Sequence, residues 1–150
     1  MLLRNFRPGD FERLFEIDRS CFDPEIAYSR SELSWYLGRS GAVAIVAEIC
    51  GAIAGFVVGN CDPRGMAHVI TLDVAAASRR KGVGTRLMES LHEEFRMRKS
   101  RISILEVSME NAGAIRFYEA QGYERGDVLT GYYNGKTDAL RMFRLFPRNS

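Results

Sequence analysis

A chain of 150 residues with 46% apolar and 27% charged side chains has the composition of one globular domain with a sizeable core. Its 21 basic and 19 acidic residues leave a net charge of only +2, which argues against a protein that binds nucleic acid by bulk electrostatics. Cys21, Cys50 and Cys61 are odd in number and lack a Cys-x-x-Cys pair, so neither a disulfide framework nor a metal site is expected. No apolar run reaches the length of a signal peptide or membrane span; a single cytoplasmic domain over 1–150, with no membrane or nucleic-acid partner, is the expectation.

A first strand is expected over residues 1–6, followed by a Pro8-Gly9-Asp10 turn in which Asp10 caps a helix carrying Phe11, Leu14, Phe15 and Asp18 on one side. Asp23-Pro24 breaks that pattern. Ser29-x-x-Glu32 is a capping box for a short second helix with Leu33, Trp35, Tyr36 and Leu37, in which Trp35 is expected in the core. Residues 42–49 and 52–59 read as strands joined around Cys50-Gly51, with a loop over 60–65 and a fourth strand near 68–74.

Three consecutive cations follow, Arg79, Arg80 and Lys81, and then Gly82 and Gly84. From Val83 the apolar residues Val83, Leu87, Leu91 and Phe95 recur at helical spacing. Strand, basic glycine turn and helix is the order that cradles an anion. The glycines let the backbone approach a ligand, the first-turn N–H groups are unpaired, and the helix dipole adds positive potential. A phosphate or diphosphate is the natural guest. A Walker loop is excluded because no Gly-Lys-Ser/Thr occurs, and a dinucleotide fingerprint fails at Leu87, where its third glycine belongs. Arg96, Arg98, Lys99 and Arg101 fall at the C-terminal end of the same helix, where cations complement the dipole.

A fifth strand is expected over 101–107, a helix over 112–121 stopped by Gly122, and strands over 123–129 and 138–146 about an Asn134-Gly135 turn. Strands that pair by hairpins and then alternate with helices predict a mixed sheet covered by helices. Glu106 shares a strand face with Ile102 and Ile104; burial raises a carboxyl pKa and strengthens the base, unless the group is an edge or salt-bridged glutamate. Tyr118 lies two helical turns after Asn111, on the same face, as a core or a functional residue. Asn111 is placed as an N-cap. His68 opens the fourth strand, either solvated or as a second base acting through water.

Arg79-x-x-Gly82-x-Gly84 resembles the Arg/Gln-x-x-Gly-x-Gly/Ala signature of the GNAT superfamily of acyl-CoA-dependent N-acetyltransferases. Leu105-Glu106-Val107-Ser108 followed by Asn111-x-x-Ala114-Ile115-x-Phe117-Tyr118-x-x-x-Gly122-Tyr123 resembles the run of the branch that acetylates protein N-termini, including ribosomal-protein-alanine N-acetyltransferases. The resemblance implies an α/β (α+β) GNAT fold: a mixed, mostly antiparallel seven-stranded sheet flanked by four helices, with the fourth and fifth strands splayed around acyl-CoA. It implies acetyl-CoA bound by Leu72, Asp73, Val74, Arg79, Arg80, Lys81, Gly82, Val83, Gly84, Thr85, Asn111 and Tyr118. In these roles the backbone of 72–74 pairs with the pantetheine arm, and the Val74 amide polarises the thioester. Glu106 is the implied general base and Tyr118 the general acid. Tyr28, His68, Tyr132 and Tyr133 are the implied substrate contacts, the last two on a loop, and Trp35 is a further candidate.

The acceptor implied is the α-amine of a protein or peptide N-terminus, for an enzyme that is a monomer or weak homodimer. The competing readings are a small-molecule amine or lysine side-chain acetyltransferase, and a non-catalytic acyl-CoA-binding module. Residues 22–28 depart from the branch's pattern, which bears on the peptide recognised and not on the chemistry.

Overall fold

The structure is a computed structural model that describes residues 1–148. Seven strands form one sheet: β1 (Leu2–Asn5), β2 (Ala42–Ile49), β3 (Ala52–Cys61), β4 (Met66–Val74), β5 (Ile102–Ser108), β6 (Glu124–Tyr133) and β7 (Thr137–Leu145). Their spatial order is β1-β2-β3-β4-β5-β7-β6, and only β4 and β5 run parallel. Four helices cover the sheet: α1 (Phe11–Cys21), α2 (Arg30–Gly38), α3 (Val83–Met97) and α4 (Ala112–Ala120). This is the mixed, mostly antiparallel sheet with four helices that the sequence predicts. Among the described residues no helix is long and apolar enough to cross a membrane.

The sheet buries both faces. On one, Val83, Leu87, Leu91 and Phe95 of α3 and Ile115 of α4 pack on Val43, Ile45, Val57, Val69 and Leu105. On the other, Leu14 and Ile17 of α1 and Leu33 of α2 pack on Val46, Phe56 and Val58. Each such side chain contributes roughly 1.5–3 kcal/mol by leaving water. Gly59 in mid-β3 has a steric cause: a Cβ there would lie 2.6 Å from Phe95 Cζ and 2.9 Å from Leu91 Cδ1, so α3 rides close to the sheet only because that position is bare.

Several local expectations hold. Ser29 and Glu32 form the capping box, the Cys50-Gly51 hairpin takes left-handed φ values of 51° and 79°, and Gly122 stops its helix at φ 92°. Others change. Asp10 does not cap α1 with its side chain: Arg4 grips its carboxylate with two hydrogen bonds (2.8 and 2.9 Å) and the Arg7 N–H adds a third (2.8 Å). The guanidinium offers more than a helix end can, and Arg4 accordingly holds the Asp10 carboxyl below its usual range against the opposing effect of burial. β3 extends to Cys61 and β6 runs to Tyr133, where Asn134 (φ 52°) and Gly135 (φ 72°) make the turn. Trp35 is not core; it is 58% exposed and lies under the Arg39 guanidinium, 4.4 Å from its ring centroid.

The β4–β5 ladder is short. It comprises Met66↔Ile102, Ala67↔Ser103 and His68↔Ile104, after which the strands part. The parting coincides with a bulge: β3 pairs Val58 with Thr71 but Gly59 with Val69, leaving Ile70 as an extra residue. The bulge turns Thr71 and Asp73 toward α1 and leaves Leu72 and Val74 packed with the α3 side.

A buried polar chain braces α3 against the last strands. Arg144 Nη1 can only donate, so His92 Nδ1 accepts (3.0 Å) and Nε2–H faces the Tyr123 hydroxyl (2.8 Å), which in turn meets Ser103 Oγ (2.7 Å). Burial, with Arg144 and Arg96 adding to it, depresses the His92 pKa to about 3. The native state therefore refuses a proton that the unfolded chain binds below pH 6.5. This stabilisation is complete above 6.5 and drains as pH falls toward 3, by up to about 1.4 kcal/mol per pH unit. Urea unfolding at pH 7 and pH 4 is expected to show a loss roughly 3 kcal/mol larger in the parent than in His92→Gln.

Candidate active site

Where β4 and β5 separate, a cleft of about 650 Å³ opens between the two strands and the start of α3. Its first wall is the free edge of β4. Ala75 N–H bonds Ala54 O on β3, so strand alternation directs the N–H and C=O groups of Val74 and Leu72 to the open side. Ile70 O takes the Tyr28 hydroxyl (3.2 Å), and Val74 O takes Arg79 Nε (3.2 Å) and Cys21 Sγ (3.4 Å). The Val74 N–H is left facing the cleft.

The second wall is an amide corner. Arg80 (φ 64°) and Gly82 (φ 78°) are both left-handed, and Gly82 is the N-cap of α3. Arg86 N–H to Gly82 O (3.1 Å) is the first bond of the helix, so Val83, Gly84 and Thr85 have N–H groups with no intrahelical partner. Gly84 sits beside the Phe117 ring, which an added Cβ would meet at 3.4 Å. Three anion-seeking features, the free amides, the dipole and the basic turn, converge at one end of the cleft.

The other end holds the titratable groups. Glu106 faces out of β5, its side chain only 7% exposed. Its Oε1 lies 2.6 Å from His68 Nε2, and its Oε2 accepts from Arg141 Nε (3.1 Å), the residue directly opposite on β7. Burial alone would raise this carboxyl, but His68 and then Arg141 outweigh it and hold it below the usual range. The expectation of a raised pKa is thus corrected: Glu106 is the salt-bridged alternative as well as a cleft residue. An ionised carboxylate only accepts, so His68 presents Nε2–H to it. Tyr118 lines the cleft across from β4. Burial first, then Asp73 and the neighbouring tyrosines, push its phenol well above the ordinary range, so it holds its proton at neutral pH. Tyr28, Tyr132 and Tyr133 complete this end, the last two with rings 5.0 Å apart at 90°.

Of the sequence-predicted residues, Leu72, Val74, Arg79, Arg80, Gly82, Val83, Gly84, Thr85, Glu106, Asn111, Tyr118, Tyr28, Tyr132 and Tyr133 line one cleft. Asn111 also caps α4, its Oδ1 accepting from Ala114 N–H (3.0 Å). Four expectations change. The Asp73 side chain is buried away from the cleft, and alternation turns its backbone toward β3. Lys81 is exposed outside the lining. His68 stands behind Glu106, outside the lining, and is paired with it while its side chain stays 35% exposed. Tyr132 and Tyr133 end a strand, not a loop. Sequence reasoning missed Arg141, which only the β5–β7 register pairs with Glu106, and Cys21, Phe22 and Ile26, brought to the cleft by α1 and its following loop. Among the described residues no group of His, Cys, Asp and Glu side chains is arranged to hold a metal.

The family model of the Acetyltransferase (GNAT) family matches residues 11–123. An uncharacterized N-acetyltransferase of Methanocaldococcus jannaschii is 32% identical over 148 residues, covering 98% of this chain and 93% of the relative. N-alpha-acetyltransferase 20 of Dictyostelium discoideum is 32% identical over 119 residues, 76% of this chain and 69% of that one. In structure, the ribosomal-protein-S18-alanine N-acetyltransferase of Escherichia coli superposes with a TM-score of 0.89 at 21% identity, over 99% of this chain and 96% of that one. The chain belongs to the GNAT acetyltransferase family. It is an N-acetyltransferase, and acetyl-CoA is its acyl donor. The free strand edge and the amide corner have the hydrogen-bonding and charge that a pantetheine diphosphate demands.

Replacing Arg141 by Met removes one of the two groups that hold Glu106 down. The Glu106 carboxyl, followed by 13C NMR, is expected to titrate higher in Arg141→Met than in the parent; an unmoved titration would mean that Arg141 does not hold it down.

Proposed function

We propose that this enzyme acetylates the α-amine of a protein or peptide N-terminus, with acetyl-CoA lying between β4 and β5. In this reading the N–H groups of Val83, Gly84 and Thr85, with Arg80 beside them, take the diphosphate, and Leu72 offers its free backbone N–H and C=O to the pantetheine amides. Acetyl-CoA supplies the acetyl group as an activated thioester. The Val74 N–H stabilises charge gathering on the carbonyl oxygen, an oxyanion-type contribution made without reorganisation. Tyr118 holds a proton on its hydroxyl for the leaving sulfur, and Asn111, on the same helix face, lines the approach. Arg79 acts on the protein itself, steadying the Val74 carbonyl.

Glu106 takes the proton from the amine, directly or through water. His68 is its positioning residue, fixing Oε1. The observation that carries the choice of acceptor is the pairing of both Glu106 oxygens, Oε1 with His68 at 2.6 Å and Oε2 with Arg141 at 3.1 Å, which against the effect of burial makes this carboxylate a weak base. Near pH 7.4 about a fifth of an α-amine with pKa near 8 is already unprotonated, against about a thousandth of a lysine amine near 10.4. A weak base suffices for the first and fails the second. The tyrosines Tyr28, Tyr132 and Tyr133 wall the acceptor end as a peptide-binding surface, and the 32% identical relative named an N-alpha-acetyltransferase supports the same class.

Labelled acetyl-CoA offered with a library of short peptides, free lysine peptides, polyamines and aminoglycosides tests the acceptor. Transfer to free N-termini ahead of lysine side chains is expected; transfer to the polyamines or aminoglycosides alone would remove the peptide reading. Glu106→Gln and Tyr118→Phe are each expected to lower kcat by about 100-fold or more while CoA affinity in Glu106→Gln stays within about twofold. Unchanged turnover in Glu106→Gln would mean that the base lies elsewhere.

A further inference from the structure

Asp18 on α1 is fully buried, and its Oδ2 accepts the Tyr28 N–H at 2.8 Å. Asp73 on β4 is 1% exposed, and its Oδ1 accepts from the Thr71 hydroxyl. The remaining oxygens, Asp18 Oδ1 and Asp73 Oδ2, are both buried without a hydrogen-bond partner among the described residues. Helix α1 packs on β4 here, Cys21 Sγ lying 3.4 Å from Val74 O, and the Asp73 carboxyl has the Asp18 carboxyl as its neighbour. Two bare acceptors cannot bond; the missing element is a hydrogen. Two carboxylates in contact away from water cannot both ionise, and burial, with Asp18 behind it, pushes the Asp73 carboxyl well above its usual range.

We propose that Asp18 and Asp73 share one proton, and that this bond is what positions the bulged segment of β4 for acyl-CoA. The positioning role rests on the reading of the β4–β5 gap as the acyl-CoA cleft; the shared proton does not. The contacts close a circuit. Tyr28, whose N–H is held by Asp18, sets its own hydroxyl on the carbonyl of Ile70, the extra residue of the bulge. Thr71 follows and donates to Asp73, and Asp73 returns to Asp18 through the proton. Helix, loop and bulge are thereby tied together directly behind Leu72 and Val74. The groups facing the pair are Cys21 from α1, Tyr28 from the loop, Thr71 from β4 and Tyr118 from α4, with Arg79 beyond Cys21 at 3.6 Å from its sulfur.

The folded pair keeps a proton that the unfolded chain releases above the ordinary carboxyl range. Its stabilisation is therefore complete below that range and drains as pH rises toward the pair's own titration. Beyond it, two like charges oppose each other behind the bulge, and the free edge of β4 loses its set.

Carboxyl 13C NMR of enzyme labelled in aspartate is expected to show, at neutral pH, one signal at the protonated position. It should vanish in Asp18→Asn, where an amide N–H replaces the shared hydrogen. Calorimetric affinity for CoA in the parent should fall roughly tenfold as pH rises through that signal's titration, and should not follow it in Asp18→Asn. Asp73→Asn, isosteric from the other side, makes the same prediction should Asp18→Asn fail to fold. Fully ionised aspartates at neutral pH, with CoA still bound, would overturn the shared proton and leave the cleft reading intact. A protonated signal whose titration leaves CoA affinity unmoved would overturn the positioning role. A parent that binds no CoA at any pH would take away the cleft reading and the positioning role together, and the signal alone would then decide the proton.

Discussion

The parallel ladder between β4 and β5 stops after three residue pairs, and the cleft opens where it stops. A continuous parallel ladder would spend the N–H and C=O groups of Leu72 and Val74 on β5, and no strand edge would remain for a ligand. The extra residue at Ile70 prevents this, turning β4 away from its neighbour while keeping it paired to β3. Everything around the cleft serves that separation: α3 brings its amide corner to the gap, β5 presents Glu106 across it, and α4 fills its floor with Phe117 and Tyr118.

Charge is distributed along the cleft in a way that divides labour. The corner at Arg80–Thr85 is positive by dipole and side chain. At the opposite end, Glu106 keeps its negative charge because His68 and Arg141 occupy both oxygens. Between them the Tyr118 hydroxyl remains protonated, because burial and nearby negative groups resist its ionisation. An acceptor and a donor of protons are thus kept in opposite states at one pH by their surroundings alone.

Much of this was legible in the chain. The anion corner could be read because its physics is local: two glycines, three cations and a helix at four-residue spacing all fall within 79–95. The second run, from Leu105 to Tyr123, was legible for the same reason, since Asn111, Tyr118 and Gly122 belong to one helix and its stop. What escaped depended on register. Arg141 faces Glu106 only because β7 pairs with β5 in one alignment, and no local pattern announces that alignment. The direction of the Glu106 shift failed with it, because burial was visible in the strand pattern and the pairing with His68 and Arg141 was not. Asp73 was grouped with Leu72 and Val74 by resemblance alone, whereas strand alternation turns its backbone toward β3 and the bulge sends its side chain to the α1 side. Trp35 was misplaced because an aromatic ring can also be satisfied at the surface by a cation above it.

Gly59 links these parts at a distance. The bare position lets Phe95 and Leu91 sink against β3, and that depth sets the height at which the first turn of α3 meets the cleft. A methyl group added there would press on the far end of a rigid rod and tilt its near end. Its penalty would be felt in the fit of α3 on β3 and, along the helix, in where the bare amides of Val83, Gly84 and Thr85 come to lie.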